Sequence, residues 1–199
     1  TYVMFPSDWD HSALPEIGYE LVEVSHDDSK YREIENLFQQ TMKDYSIGRL
    51  RRTRSPTLWQ HFQLQKKHME KRSPGQQVDE QLLFHGMSPS HVPVICEQNF
   101  NWRISGTHGT TYGKGSYFAR DASYSHQYCP SSIDHHSMFV AQVLVGDFVW
   151  GNQVYLRPPT RPGISNRLLD SCVHNRKNPS IFVIFEKHQI YPAYILEYT

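Results

Sequence analysis

Hydrophobic residues recur at helical spacing in the first part of the chain. In "SKYREIENLFQQTMKDY", residues 29–45, apolar side chains return every three or four positions, which predicts an amphipathic helix with Asp27, Asp28 or Ser29 as its cap. A second helix is predicted in "SPTLWQHFQLQKKHMEKR", where Ser55 would be the cap and Pro56 the first helical residue. The expected core positions of the two helices are Tyr31, Ile34, Leu37, Phe38, Met42, Tyr45, Leu58, Trp59, Phe62 and Met69.

Beyond residue 80 the pattern changes to short strands separated by Gly, Pro, Asn and Ser. The strand candidates are "QLLFHG", "GSYFA", "SMFVAQVLVGDFVWG", "PSIFVIFE" and "IYPAYILEYT", with helical patterns confined to residues 89–98 and 121–128. An earlier strand is predicted at residues 19–24, after an irregular lead-in at 1–20 from a preceding module. Helices followed by strands predict an α+β fold in a single domain spanning residues 1–199.

The charges balance, with 20 Lys and Arg against 20 Asp and Glu, so no overall field favours nucleic acid or a membrane as partner. Basic residues do gather around the second helix, at Arg49, Arg51, Arg52, Arg54, Lys66, Lys67, Lys71 and Arg72. Two interpretations remain open for them. They form either a nucleic-acid patch or, as we prefer, a solvated face whose late lysines suit the helix dipole.

Cysteine and histidine give only weak signals. Cys96, Cys129 and Cys172 are widely spaced and predict reduced thiols. A crowded group, His126, Cys129, His135 and His136, lacks a second half-site at ligand spacing, so a solvated loop is favoured over zinc. A Cys172–His174 nucleophile is not favoured either, because no residue is visible that would orient the base.

Membrane and targeting signals are missing from the sequence as it stands. No run approaches the ~20 apolar residues of a membrane span, and no signal peptide stands at the front. Because the chain starts at Thr1, we expect it to be a fragment of a longer protein.

The glycine-rich stretch from Gly106, "GTHGTTYGKGSYFARDASYSHQYC", is not a known phosphate loop. Only three residues separate Gly109 from Gly113, and Lys114 is followed by glycine, which excludes a Walker loop. A dinucleotide fingerprint would need glycine where Phe118 stands. These glycines are better explained by a close approach of backbone to a ligand or strand.

Two stretches together suggest a binding site: "FHG" at 84–86 and "YGKGSYFARDASYSHQY" at 112–128. Ser125 and Tyr128, three apart on a helix, would share one face. A hydroxyl and a ring facing one slot suit a flat aromatic amide, which the backbone of Gly86 would also bind. His85 would then reach a neighbouring sugar hydroxyl.

With "FVAQVLVGDF", "DSCV" and "PSIFVIFEKHQIYPAYILEY", these stretches resemble the diphtheria-toxin-type ADP-ribosyltransferases of the poly(ADP-ribose) polymerase superfamily, most strongly over residues 75–199. The resemblance implies two packed β-sheets with peripheral helices, and N-terminal helices before the His-Gly strand. Within the superfamily the chain looks closest to the mono-ADP-ribosylating branch with CCCH zinc fingers and a WWE module, the zinc-finger antiviral protein group. That branch implies a role in innate immunity and a cytoplasmic location, with the nucleus as an alternative.

The resemblance also implies roles for individual residues. NAD+ would be the co-substrate and proteins the acceptors, with RNA bound only by modules outside this chain and no metal or membrane involved. His85 would bond a ribose hydroxyl of NAD+ and Gly86 the nicotinamide amide. The other implied NAD+ contacts are Arg103 near the adenosine, Tyr112 in the donor loop "ISGTHGTTY", the strand residue Tyr117, the amide-binding Ser125 and the stacking Tyr128.

The third position of the catalytic triad, after His85 and Tyr117, decides the length of the product. Polymer-forming members carry Glu eight residues before a Gln that leads the last strand, and counting back from Gln189 gives Ile181. An alkyl group cannot accept a proton, so the resemblance implies transfer of one ADP-ribose unit with release of nicotinamide. The alternative is a catalytically silent module of an antiviral RNA-binding or assembly factor. Met87 departs from the usual Ser or Thr and would remove a hydroxyl from the pocket edge.

Overall fold

A computed structural model describes residues 5–9, 18–105, 110–130 and 134–199. Most of the expected lead-in at 1–20, and the centre of the loop "ISGTHGTTY", lie outside the described residues. The described residues form five α-helices: α1 (Ser29–Gln39), α2 (Pro56–Arg72), α3 (Val92–Gln98), α4 (Trp102–Ser105) and α5 (Ala122–His126). None of these helices is both long and apolar enough to cross a membrane.

The first two helices form where the pattern predicts them, with one boundary corrected. Asp28 caps α1, since its carboxylate accepts the Lys30 N–H at 2.9 Å. The helix ends at Gln39 and not near Tyr45. The side-chain amide of Gln39 donates to the Tyr45 carbonyl at 2.9 Å and links the helix end to the segment that follows. Helix α2 begins at Pro56 as predicted.

Eleven strands occur in the described residues: β1 (Glu20–Glu23), β2 (Ile47–Arg54), β3 (Glu80–Gly86), β4 (Ser116–Ala119), β5 (His136–Leu144), β6 (Phe148–Trp150), β7 (Thr160–Arg161), β8 (Ile164–Leu168), β9 (Ser171–Val173), β10 (Ile181–Ile184) and β11 (Ile190–Tyr198). Nine of them lie in the order β1-β2-β11-β5-β3-β4-β10-β9-β6, while β7 and β8 form a separate ribbon. The α+β class is therefore confirmed.

The two sheets expected from the resemblance are hydrogen-bonded to each other. Strands β3 and β4 pair only where Phe84 meets Ala119, and this short junction joins the two halves into one nine-stranded sheet. Side chains from both halves enter one core cluster, in which Phe118 and Phe182 pack with Phe139. Strand β3 ends in the His-Gly pair directly after this junction.

Strand β2, which the sequence pattern did not predict, corrects the interpretation of Arg52 and Arg54 in the basic cluster. Arg49, Lys67 and Lys71 are exposed, as the preferred solvated-face interpretation expects. β2 pairs with β1 on one side and β11 on the other. Arg52 and Arg54 are buried, and Arg52 reaches Asp8 at 2.9 Å and Asp28 at 3.5 Å. Neither a solvated face nor a nucleic-acid patch describes these two arginines, because Arg52 pairs with both aspartates and Arg54 lies 3.9 Å from a Glu20 carboxylate oxygen within the fold.

Candidate active site

His85 and Tyr117 meet where β3 and β4 adjoin. His85 is buried, and its Nδ1 lies 2.8 Å from the Tyr117 carbonyl oxygen. Because a carbonyl only accepts, Nδ1 carries the hydrogen, and Nε2 of the neutral ring is the acceptor nitrogen. The ring centroids of Phe100 and Phe118 lie 4.8 Å and 5.4 Å from that of the imidazole, and these contacts restrict its orientation. The fold thus presents His85 in one tautomer.

The Tyr117 hydroxyl forms hydrogen bonds with the segment that precedes β4. It donates to the Gly113 carbonyl at 2.9 Å and accepts the Tyr112 N–H at 2.9 Å. Burial raises the pKa of Tyr117 to about 12, so the phenol stays neutral around pH 7. Tyr117 therefore anchors the C-terminal end of the loop "ISGTHGTTY" to the strand.

Ile181 begins β10 and packs in the same apolar cluster as Tyr117. It pairs with Ala119 across the strands, and its side chain packs against an apolar cluster that includes Tyr117, Cys172 and Val183. No acid-base group is supplied by the Ile181 side chain itself.

Gly86 lies against helix α5, and this contact explains the glycine. A Cβ at Gly86 would stand 2.8 Å from the carbonyl carbon of Ser125 and 3.3 Å from Cys129 Sγ. The missing side chain thus serves helix packing in addition to any ligand. As a consequence, β3 and α5 hold Gly86 and the buried Ser125 next to each other.

Tyr128 lies just after α5, and its N–H donates to the Ser125 carbonyl at 3.1 Å. Its hydroxyl is 2.9 Å from that of Tyr124, and the two rings are 5.4 Å apart in an edge-to-face arrangement. Sequence reasoning missed Tyr124, although its spacing of four from Tyr128 was a usable signal.

Two other residues singled out in the sequence are Arg103, on α4, and Met87, directly after β3. Arg103 is exposed on α4, where its guanidinium covers the Trp102 ring at 5.7 Å, so its described contacts are local. Met87 is buried in the core cluster with Ile95 and Phe100, which corrects the expectation that it lies at the pocket edge.

Comparison with known proteins identifies the family of this domain. Residues 28–199 match the poly(ADP-ribose) polymerase catalytic domain. The chain belongs to the poly(ADP-ribose) polymerase family. It is 50% identical over 194 residues to protein mono-ADP-ribosyltransferase PARP12 of Homo sapiens, covering 98% of this chain and 28% of that protein. It is 38% identical over 216 residues to protein mono-ADP-ribosyltransferase PARP11 of Mus musculus, covering 98% and 65%. The chain thus spans less than a third of its PARP12 relative.

Within this poly(ADP-ribose) polymerase domain, the predicted histidine and cysteine group is used for packing. His126 Nδ1 lies 2.6 Å from the Tyr198 hydroxyl, which donates to Cys129 Sγ at 3.5 Å. His126 Nε2 lies 3.1 Å from the Tyr45 hydroxyl. These contacts tie α5 to β11. In the described parts of the chain, no three His, Cys, Asp or Glu side chains are grouped so as to hold a metal ion.

Cleft size does not locate the site in this poly(ADP-ribose) polymerase domain. A cleft of about 700 Å³ is lined by Trp9, Arg52 and Tyr194. A second, of about 410 Å³, is lined by His61, Phe100 and His188. We place the site on the triad geometry, because both clefts omit His85 and Tyr117.

Proposed function

We propose that the chain is a mono-ADP-ribosyltransferase, which moves one ADP-ribose unit from NAD+ to a protein side chain and releases nicotinamide. The observation that carries this proposal is the convergence of His85, Tyr117 and Ile181 at the ends of β3, β4 and β10. The names of the PARP12 and PARP11 relatives support it.

The chemistry needs orientation more than acid-base groups. The bond between ribose C1 and the nicotinamide nitrogen breaks, its electron pair leaves with nicotinamide, and charge develops on the sugar as in glycoside hydrolysis. The acceptor side chain then forms its bond to ribose C1, and its proton passes to solvent. Nε2 of His85 accepts from a ribose hydroxyl, which refines its expected role. The nicotinamide stacks on Tyr128, and its amide forms hydrogen bonds with Gly86 and Ser125. Arg103 lies near the adenosine half of NAD+, and Tyr112 belongs to the loop over the donor.

Ile181 limits the product to one unit. Elongation requires a group that activates a hydroxyl of ADP-ribose already attached, and the Ile181 side chain has no acceptor atom. The alternative of a catalytically silent module has weaker support, because His85 is present and the relatives carry transferase names.

Labelled NAD+ tests the activity. We expect self-modification by the wild-type chain, with one ADP-ribose per modified site in intact-protein and peptide mass spectrometry. His85→Ala and Tyr128→Ala should each reduce labelling at least about 100-fold, since each removes a contact to a reacting half of NAD+. Thermal melting controls for folding. Equal labelling of folded variants would refute the site, and polymer ladders would refute the role of Ile181.

We further propose that residues 1–199 form a single catalytic domain of a longer cytoplasmic protein, with the nucleus as an alternative location. In this proposal a WWE module and CCCH zinc fingers precede the domain and bind RNA, as expected for the zinc-finger antiviral group with its role in innate immunity. The small share of the PARP12 relative that the chain covers supports a longer protein. Sequencing the full transcript and imaging the tagged full-length protein test this, and a reading frame without upstream CCCH motifs would contradict it.

A further inference from the structure

His174 lies directly opposite Ile181 across two strands. Strands β9 and β10 pair Cys172 with Val183 and Val173 with Phe182, so the next pair outward is His174 with Ile181. The His174 N–H donates to the Ile181 carbonyl at 3.3 Å. Opposed residues of an antiparallel pair project from the same face. His174 therefore belongs to the face that carries Ile181.

The imidazole of His174 replaces a backbone group in this ladder. Its Nδ1 accepts the Ile181 N–H at 3.3 Å, and its Nε2 lies 3.3 Å from Ser180 Oγ. Since Nδ1 faces a donor, the neutral ring carries its hydrogen on Nε2 and donates to the Ser180 hydroxyl. In this state His174 has no lone pair available as a base, so its role is positional.

Contacts connect His174 to the triad on one side. Its ring stands 6.2 Å from that of Tyr112 in an edge-to-face arrangement, and the Tyr112 N–H donates to the Tyr117 hydroxyl. On the other side, the Arg120 N–H donates to the Ser180 carbonyl at 2.8 Å, and its guanidinium reaches Asn178 at 3.1 Å. The turn between β9 and β10 is thus held to the strand that carries Tyr117.

We propose that His174 is the positioning residue of the acceptor side: its neutral imidazole fixes Ile181 and orients the Ser180 hydroxyl, so that the protein nucleophile is aligned with the sugar. This inference rests on the proposed transferase activity. Because Ile181 offers the nucleophile no polar atom, alignment must come from neighbouring groups, and His174 with Ser180 supplies them. His174 decides how often ADP-ribose is captured by protein instead of water.

Protonation of His174 should release this arrangement. A hydrogen on Nδ1 would face the Ile181 N–H, placing two donors together. Tyr112 packs against the imidazole. Tyr117 and Cys172 lie in the apolar cluster that also holds Tyr112 and Ile181, Arg176 and Lys177 belong to the turn between β9 and β10, and Arg120 and Asp121 lie beyond Ser180. Burial raises the pKa of Tyr117 to about 12 and that of Cys172 to about 11, so neither changes charge between about pH 5 and pH 8.

The test measures how NAD+ cleavage divides between transfer and hydrolysis. With the 199-residue chain and NAD+, ADP-ribose attached to protein and free ADP-ribose are each quantified per nicotinamide released, from about pH 5 to pH 8. Because both products are expressed per nicotinamide released, the ratio of attached to free ADP-ribose is independent of the rate of NAD+ cleavage, in which His85 takes part. We compare wild type with His174→Asn, His174→Phe and the control His135→Asn, which alters an exposed imidazole.

The three variants have different expected ratios. The Asn oxygen at 174 takes the place of Nδ1 without titrating, so the ratio should stay near wild type at neutral pH and lose its acid decline. The Phe variant keeps a ring without nitrogens, and its ratio should fall about tenfold at every pH while nicotinamide release persists. His135→Asn should follow wild type throughout.

The outcomes separate this inference from the proposed function. If wild type releases no nicotinamide, the proposed transferase activity fails. If release is normal and His174→Phe keeps the wild-type ratio, the role of His174 is overturned. A His174→Asn ratio as low as that of Phe, or one that still declines in acid, also overturns it. Should His174→Phe not fold, the pH profiles of wild type and His174→Asn decide.

Discussion

Gly86 serves both the packing of the fold and the proposed chemistry: its missing side chain lets α5 approach β3, and its backbone is the proposed partner of the nicotinamide amide. The backbone of Ser125 lies so close that a methyl group would meet its carbonyl carbon at 2.8 Å. "FHG" predicted a site for a ligand, whereas the packing against α5 was invisible because it joins residues 39 positions apart. Met87 shows the opposite error, because its place after the His-Gly pair suggested the edge of a pocket, whereas its side chain is buried in the core.

A matched pair of glycines tests this constraint. Gly86→Ala should lower the free energy of unfolding by about 1–3 kcal/mol and abolish NAD+ cleavage, because α5 must move away from β3. Gly48→Ala adds the same methyl on β2, at 3.7 Å from the Glu197 carbonyl oxygen, and should change stability by no more than about 0.5 kcal/mol. Urea unfolding and nicotinamide release measure both. Equal effects in the two variants would contradict the packing argument.

At the level of elements, helices and strands with regular apolar periodicity were predictable, whereas a strand whose charges are paired with distant acids was not. Helix α2 and the strands near His85, Tyr117 and Ile181 follow from periodicity, because their neighbours are apolar. Strand β2, "IGRLRRTR", has few apolar residues, and its place in the sheet depends on acids from other segments. The single junction of β3 with β4 likewise depends on register, which one sequence does not reveal.

Substitutions at two arginines of β2 compare the loss of a buried ion pair with the loss of an exposed one. Arg52→Ala should lower the free energy of unfolding by about 1–3 kcal/mol, since Asp8 and Asp28 lose a buried partner and a cavity remains. Arg49→Ala removes an exposed pair with Glu23 and should cost at most about 0.5 kcal/mol. Urea denaturation measures both. A larger loss for Arg49 would show that β2 is not buried in this orientation.

For the whole molecule, His126 joins distant parts of the chain. Its nitrogens lie next to the hydroxyls of Tyr198 on β11 and Tyr45 before β2, while His126 itself ends α5. Burial, together with the neighbouring His136, lowers the pKa of His126 below the 6.5 of an ordinary histidine. The fold therefore favours the neutral imidazole at the end of α5, the helix that also carries Ser125.

This cross-link makes stability depend on pH in a defined direction. As pH falls below about 6.5, the unfolded chain takes up a proton at this position before the folded chain does, so the free energy of unfolding should decrease until pH passes the lowered pKa. His188, whose pKa burial also lowers, acts with the same sign. His126→Asn should therefore reduce the loss of stability between about pH 7.5 and pH 5, and His135→Asn should not. Urea unfolding at the two pH values measures it, and an unchanged loss in His126→Asn would mean that other groups control the acid response.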